Sequence, residues 1–125
     1  MARKYGLFTL KEENILSGLS DLMNYRNQIA KGDVPLTPTQ MAEELFEDRR
    51  NFMKVLKSLQ SKNAIGCWHS NDVEIWYINP TLYRRGHGHK DISSAFKSAA
   101  MERERQGSKV FNVSHEHFYS SLVLP

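Results

Sequence analysis

Two helix starts lie eleven residues apart in the middle of this chain, with room between them for one short helix and a turn. The first is Leu36-Thr37-Pro38-Thr39-Gln40-Met41. Thr37 is placed to cap, Pro38 to take the first helical position, and Gln40 to complete a capping box, with Leu36 and Met41 as a hydrophobic staple. The second start is Asp48, followed by Phe52, Val55, Leu56 and Leu59. At about 100° per residue these four share an arc of roughly 100°, and Arg50, Lys54, Lys57 and Ser61 fall opposite. Asn63 suits the left-handed conformation that ends such a helix. The first of the two helices is therefore expected to stop near Leu45 or Phe46, and a tight turn to deliver the chain into the second.

Strands follow at once. Ala64 to His69 and Val73 to Ile78 are rich in β-branched and aromatic residues, and Ser70-Asn71-Asp72 between them is a turn cluster. The spacing predicts a β-hairpin with a loop of two or three residues, which leaves its register open. Asn79-Pro80 stops the second strand, with Asn79 as cap of a short helix through Thr81, Leu82 and Tyr83. Upstream, Thr9-Leu10-Lys11-Glu12 has the capping-box pattern, and Ile15, Leu16, Leu19, Leu22 and Met23 recur at helical spacing. A long first helix from about Leu10 to about Ala30 is expected, weakened at Gly18 and stopped by Lys31-Gly32-Asp33. Downstream, Asp91 caps a last helix with Ile92, Ala95, Phe96 and Ala99 on one stripe, running into Glu102-Arg103-Glu104-Arg105 and ending at Gly107. Val110 to Pro125 is apolar without a clear period.

The fold class expected is α+β, mainly α: a winged helix-turn-helix with a hairpin wing and additional N- and C-terminal helices. The 125 residues suffice for one such domain over 1–90, with 91–125 as a C-terminal helix and apolar tail serving dimerisation. A homodimer is expected because a core this small is marginal alone; the first helix, the Ile92–Ala99 stripe and the tail are the candidate surfaces.

Charge narrows the function. The net charge of +3 is distributed as +1 over residues 1–40, +2 over 41–90 and 0 over 91–125. Within the middle part, Arg49 to Asn71 holds five cations and no acid. Arg49, Arg50, Asn51, Met53 and Lys54 occupy the first turn and a half of the second helix, the part of a recognition helix that reaches base edges. Arg can pair with guanine and Asn with adenine in bidentate fashion. Lys57 and Lys62 are better placed for phosphates. The hairpin tip could touch the DNA backbone or the minor groove: His69, Ser70 and Asn71 can donate hydrogen bonds there, whereas Asp72 would be repelled by phosphate. Arg84, Arg85 and Lys90 form a second basic cluster beside the wing. The expected partner is double-stranded DNA, bound through Arg49, Arg50, Asn51, Met53, Lys54, Lys57, Lys62, His69, Ser70, Asn71, Arg84 and Arg85. Trp68 and Trp76 read as core or dimer contacts, with base stacking as the sharper alternative.

Other functions find little support in the residues. No Gly-rich phosphate loop or serine elbow is present, so no enzyme is expected. Cys67 in a strand reads as a buried inert thiol, and a single cysteine fits a reducing, cytoplasmic setting. The pairs His87 and His89, and His115 and His117, lack zinc-ligand spacing, so neither metal nor cofactor is expected. The basic start Met1-Ala2-Arg3-Lys4 has no apolar stretch after it, and no segment is long enough to cross a membrane. Glu43-Glu44 and Glu47-Asp48 are explained by capping and helix-dipole complementarity.

The stretch Thr37-Pro38-Thr39-Gln40-Met41-Ala42-Glu43, then Phe52 to Leu59, Lys62-Asn63-Ala64-Ile65 and Tyr77-Ile78-Asn79-Pro80-Thr81-Leu82-Tyr83-Arg84-Arg85-Gly86 resembles the RepL-type plasmid replication proteins of Gram-positive bacteria, over about residues 37–86. The Asn-Pro-x-Leu-x-x-x-Gly type segment, here Asn79 to Gly86, is its more telling part; the helix-turn-helix is shared with MarR-like regulators. The turn Phe46-Glu47 lacks the glycine common there, and Asn63 stands where glycine is usual. The resemblance implies a role in initiating or controlling plasmid or phage replication. A transcriptional regulator on the same fold is the alternative, and a protein-interaction module in a replication or partition complex is the alternative of a different class.

Overall fold

The computed structural model describes residues 7–86 and 90–107, with Ser70 described in its backbone only. In chain order the elements are α1 (Leu10–Asp21), β1 (Ala30–Lys31), β2 (Val34–Pro35), α2 (Pro38–Glu44), α3 (Arg49–Ser61), β3 (Ile65–Ser70), β4 (Val73–Ile78) and α4 (Lys90–Arg105). The fold is α+β and mainly helical, with two small antiparallel hairpins.

Local chemistry sets the helix starts. Both capping boxes form: the Thr9 hydroxyl accepts from the Glu12 N–H, and the Thr37 hydroxyl from that of Gln40. Asp48 caps α3 by accepting from the Asn51 N–H at 3.0 Å. Leu36 and Met41, before and inside α2, are both buried. The ends of the helices differ more from expectation. α1 stops at Asp21, well short of Ala30, although apolar spacing continues through Met23. The reason is Asn24, whose Oδ1 accepts from the N–H groups of Arg26 and Gln28 at 2.9 and 3.0 Å and so competes with helix continuation. The chain then straightens: Ile29 donates to the Trp76 carbonyl at 2.8 Å and Ile78 to the Asn27 carbonyl at 3.1 Å. Residues 27–29 thus lie along β4 before the tight β1–β2 hairpin turns at Gly32, whose φ of +65° favours glycine. The expected helix at Thr81 to Tyr83 is instead one turn, in which Asn79 Oδ1 accepts from the Thr81 N–H at 3.1 Å.

The β3–β4 register pairs Ile65 with Ile78, Cys67 with Trp76 and Ser70 with Val73. The loop therefore has two residues, Asn71 and Asp72, with φ of +51° and +64°. Two left-handed residues make the turn whose twist matches a hairpin. Directly opposed residues share a face. Ile65, Cys67, Trp76 and Ile78 face the core built by α1, α2 and α3, where Ile15, Leu16, Leu19, Met41, Phe52, Leu56 and Leu59 are buried. The other face carries Trp68, Ile75 and Tyr77. There Phe96 of α4 meets Trp68 edge-on at 5.0 Å between ring centres. Gly66 makes this possible, since a Cβ would fall 2.4 Å from the Trp68 ring. Trp76 is core, and Trp68 packs against Phe96 of α4 while remaining partly exposed. Of the candidate dimer surfaces, Ile15, Leu16 and Leu19 of α1 and Phe96 of the Ile92–Ala99 stripe are buried within the chain, whereas Ile92, Ala95 and Ala99 remain partly exposed. The tail 110–125, and with it the third candidate dimer surface, lies outside the described residues, as do His87, His89, His115 and His117.

Three buried asparagines close the framework. Asn27 donates to the carbonyls of Ile78 and Tyr83 at 3.0 and 2.7 Å and accepts from the Arg85 N–H at 3.0 Å. Asn63, left-handed after α3, donates to the Phe96 carbonyl at 2.8 Å and accepts from Arg103 at 3.2 Å. Asn79 donates to the Asn63 carbonyl at 3.0 Å. Burying an unmatched polar group costs about 1–3 kcal/mol, so truncating such a hub strands several partners at once. Asn27→Ala is expected to lower unfolding stability by about 3 kcal/mol in urea titrations, as three backbone groups, one buried and two part-buried, lose their partner.

Candidate nucleic-acid interface

α3 is strongly two-faced. Phe52, Leu56 and Leu59 are inaccessible, and burying side chains of this size is worth about 1.5–3 kcal/mol each. Arg49, Arg50, Asn51, Lys54 and Lys57 are exposed, and Met53 is half-buried against the core margin. Helical spacing puts Arg50, Lys54, Lys57 and Ser61 along one line pointing away from the core. Asp48, Arg49, Arg50 and Met53 border an open depression at the helix start.

The acidic residues near this helix are largely engaged. Asp48 holds the α3 N-terminus. Lys11 binds Glu47 at 2.7 Å, and Lys31 lies 3.8 Å from Glu44. These contacts are exposed and contribute little to stability, but they temper negative charge beside the cationic face.

Lys62 departs from its expected role. Its ammonium sits 2.7 Å from Glu12 Oε1 and above the Phe8 ring, instead of reaching outward toward phosphate. The same Oε1 accepts the Thr9 N–H at 2.7 Å, and Oε2 accepts from the Ser58 hydroxyl. One carboxylate therefore caps α1 and ties it to the end of α3. Burial alone would raise the Glu12 carboxyl, but Lys62, Ser58 and Thr9 together hold it below its ordinary value.

The remaining expected residues are dispersed. At the hairpin tip His69 and Asn71 are exposed, and His69 Nε2 lies 3.8 Å from Glu74 Oε2. Of Ser70 only the strand position is described. Arg84, Arg85 and Lys90 are exposed. Arg85 borders a groove with Asp21, Tyr25, Arg26, Lys31 and Glu44, none of them on α3. The sequence reading missed Tyr25, Arg26 and Lys31 because it absorbed the first two into a helix and used the third as a stop signal. Gly86, at φ +75°, is the residue of the Asn79–Gly86 segment whose identity the geometry demands: a Cβ there would lie 2.9 Å from the Tyr25 carbonyl oxygen.

No family model, curated protein or solved structure matches this chain. Among the described residues no group of three or more His, Cys, Asp or Glu is gathered to hold a metal, and no helix is long and apolar enough to cross a membrane. Cys67 is partly buried beside Glu74; burial first, then that carboxylate, push its thiol up to about 11.

Two solution outcomes follow from these environments. Because the folded Glu12 carboxyl is lowered, its stabilisation is complete above the unfolded value near 4.5 and is lost as pH falls below it. Glu12→Gln is expected to remove about 1–3 kcal/mol at pH 7, with the gap to the parent narrowing in urea titrations below about pH 4.5. Cys67 should be alkylated by iodoacetamide far more slowly in the native protein at pH 8 than in urea, since little of it is thiolate there.

Proposed function

We propose that this protein binds double-stranded DNA as a winged helix, with α3 in the major groove and the β3–β4 hairpin as the wing. One observation carries the reading: α3 exposes Arg50, Lys54 and Lys57 on the face opposite its buried Phe52, Leu56 and Leu59. A recognition helix needs that division, since its inner face must be held by the scaffold while its outer face meets phosphates and base edges. The order of elements supports it as well. A short helix, a turn and a longer helix lead into a hairpin, and residues 27–29 add a strand-like rung beside β4.

In this reading Arg49, Arg50, Asn51, Met53 and Lys54 approach base edges, and Lys57 meets phosphate. His69, Ser70 and Asn71 approach the backbone from the hairpin tip. Arg84, Arg85 and Lys90 add a flanking phosphate contact. Lys62 is left out, since its charge is held by Glu12. The resemblance of residues 37–86 to RepL-type proteins supports a place in starting or controlling replication of a plasmid or phage. A two-fold dimer would address palindromic half-sites about one helical turn apart.

Fluorescence anisotropy on duplexes selected from a random pool tests the reading. Log affinity should fall linearly with log salt, by about 0.9 per phosphate contacted. Arg50→Ala and Lys54→Ala should each weaken binding by about five- to a hundredfold with unchanged melting temperature, because neither side chain packs in the core. Absence of binding to any duplex, or an affinity indifferent to salt, would contradict it.

A further inference from the structure

The outer edge of β3 carries backbone groups with no partner. β4 is bonded on both sides: to β3 through the hairpin, and to residues 27–29 through Ile29, which donates to Trp76, and Ile78, which donates to Asn27. The ladder fixes which groups of β3 point the other way. With a two-residue loop, Ser70 and Val73 are the bonded pair that closes the turn, so Trp68–Ile75 and Gly66–Tyr77 are bonded pairs as well. Cys67 and His69 alternate with them and aim their N–H and C=O away from β4. β4 keeps the same phase, since Trp76, opposite Cys67, turns its carbonyl to Ile29. Among the described residues, no backbone hydrogen bond reaches Cys67 or His69 from that outer side. Folded chains blunt such an edge with charge, proline, a bulge or extreme shortness. Ile65–Ser70 has none of these: it is six residues in unbroken register, without Lys, Arg, Asp, Glu or Pro. An edge of this kind is a template for one more strand.

The chain holds a suitable segment close by. α4 is fastened where β3 begins: Asn63 donates to the Phe96 carbonyl at 2.8 Å, and Arg103 donates to Asn63 at 3.2 Å. Gly107 follows four residues after Arg103, and eighteen residues come after it. Extended, that length spans up to about 60 Å, against about 20 Å for β3, so reach is no obstacle. Its first apolar stretch is Val110-Phe111-Asn112-Val113, uncharged like β3 and rich in the β-branched and aromatic types that strands favour. Only Ser108 and Lys109 separate it from Gly107. A tether this short gives an effective concentration on the order of millimolar, which favours this segment over a second copy or a separate peptide. We propose that residues 110–113 add to the outer edge of β3 in the same chain, meeting the free groups of Cys67 and His69. The added strand braces the β3–β4 hairpin on the side away from residues 27–29, whether or not the protein binds DNA.

Amide hydrogen exchange and cross-strand nuclear Overhauser contacts, measured by NMR on the full chain, test the pairing. The Cys67 and His69 amides should exchange at least about a hundredfold more slowly than that of Asn71 in the loop, and should show contacts to residues 110–113. A Phe111→Pro/Asn112→Pro double variant removes a donor in either register of the added strand. It should speed exchange at Cys67 and His69 at least about tenfold and leave Trp68, whose N–H is bonded to β4, unchanged. If the double variant loses Trp68 protection too, it has unfolded, and the contacts in the parent decide. Exchange at Cys67 and His69 as fast as at Asn71 would overturn the proposal. So would contacts from another segment, protection that survives both prolines, or protection that fades on dilution, which would assign the edge to a second copy.

Discussion

The structure depends on three asparagines that solvent barely reaches. Asn27, Asn63 and Asn79 are each at most 1% exposed, and each spends its amide on backbone groups of distant segments. Apolar packing holds α1, α2 and α3 together, but it is not directional. The asparagines add direction: Asn27 fixes where the chain leaves β4, Asn79 joins that exit to the end of α3, and Asn63 joins the same point to α4. The hairpin and the last helix are thereby set relative to α3 by hydrogen bonds as well as by contact. Such a network is robust only while complete, since each unmet group in a low-dielectric interior is costly.

Electrostatics divides the cations by role. Lys62 is structural, pinned to a carboxylate that also caps α1. Lys11 and Lys31 lie against Glu47 and Glu44 beside α3. What remains outward on α3 is a row of cations. The modest net charge of +3 thus conceals a local field whose place is set by which lysines the fold uses internally.

Much of this was legible in the sequence, and the gaps have physical causes. Thr37, Pro38, Gln40 and Asp48 act over three or four residues, so their capping roles could be read directly, as could the left-handed end at Asn63. The exit from α1 could not, because Leu22 and Met23 keep the helical spacing while the decisive competitor is the Asn24 side chain. The β1–β2 hairpin has two residues per strand, too few for alternation to show. Glu12 announced itself as a capping residue, but nothing local reveals that its carboxylate also takes Ser58 and Lys62, some fifty residues away. Asn27 fell inside the expected first helix and Asn79 read as a strand stop and cap, and only the tertiary structure shows them as crosslinks. Of the candidate interface, the face of α3 was visible from periodicity, whereas the diversion of Lys62 was not.

The most direct measurement is an NMR titration of the full chain with a selected duplex, following backbone amides. The account predicts that the largest shifts fall on Arg49 to Lys57, with smaller ones at His69 to Asn71, while Glu12 and Asn27 stay in place. Shifts confined to α1 or α4, or no shift with any duplex, would contradict it.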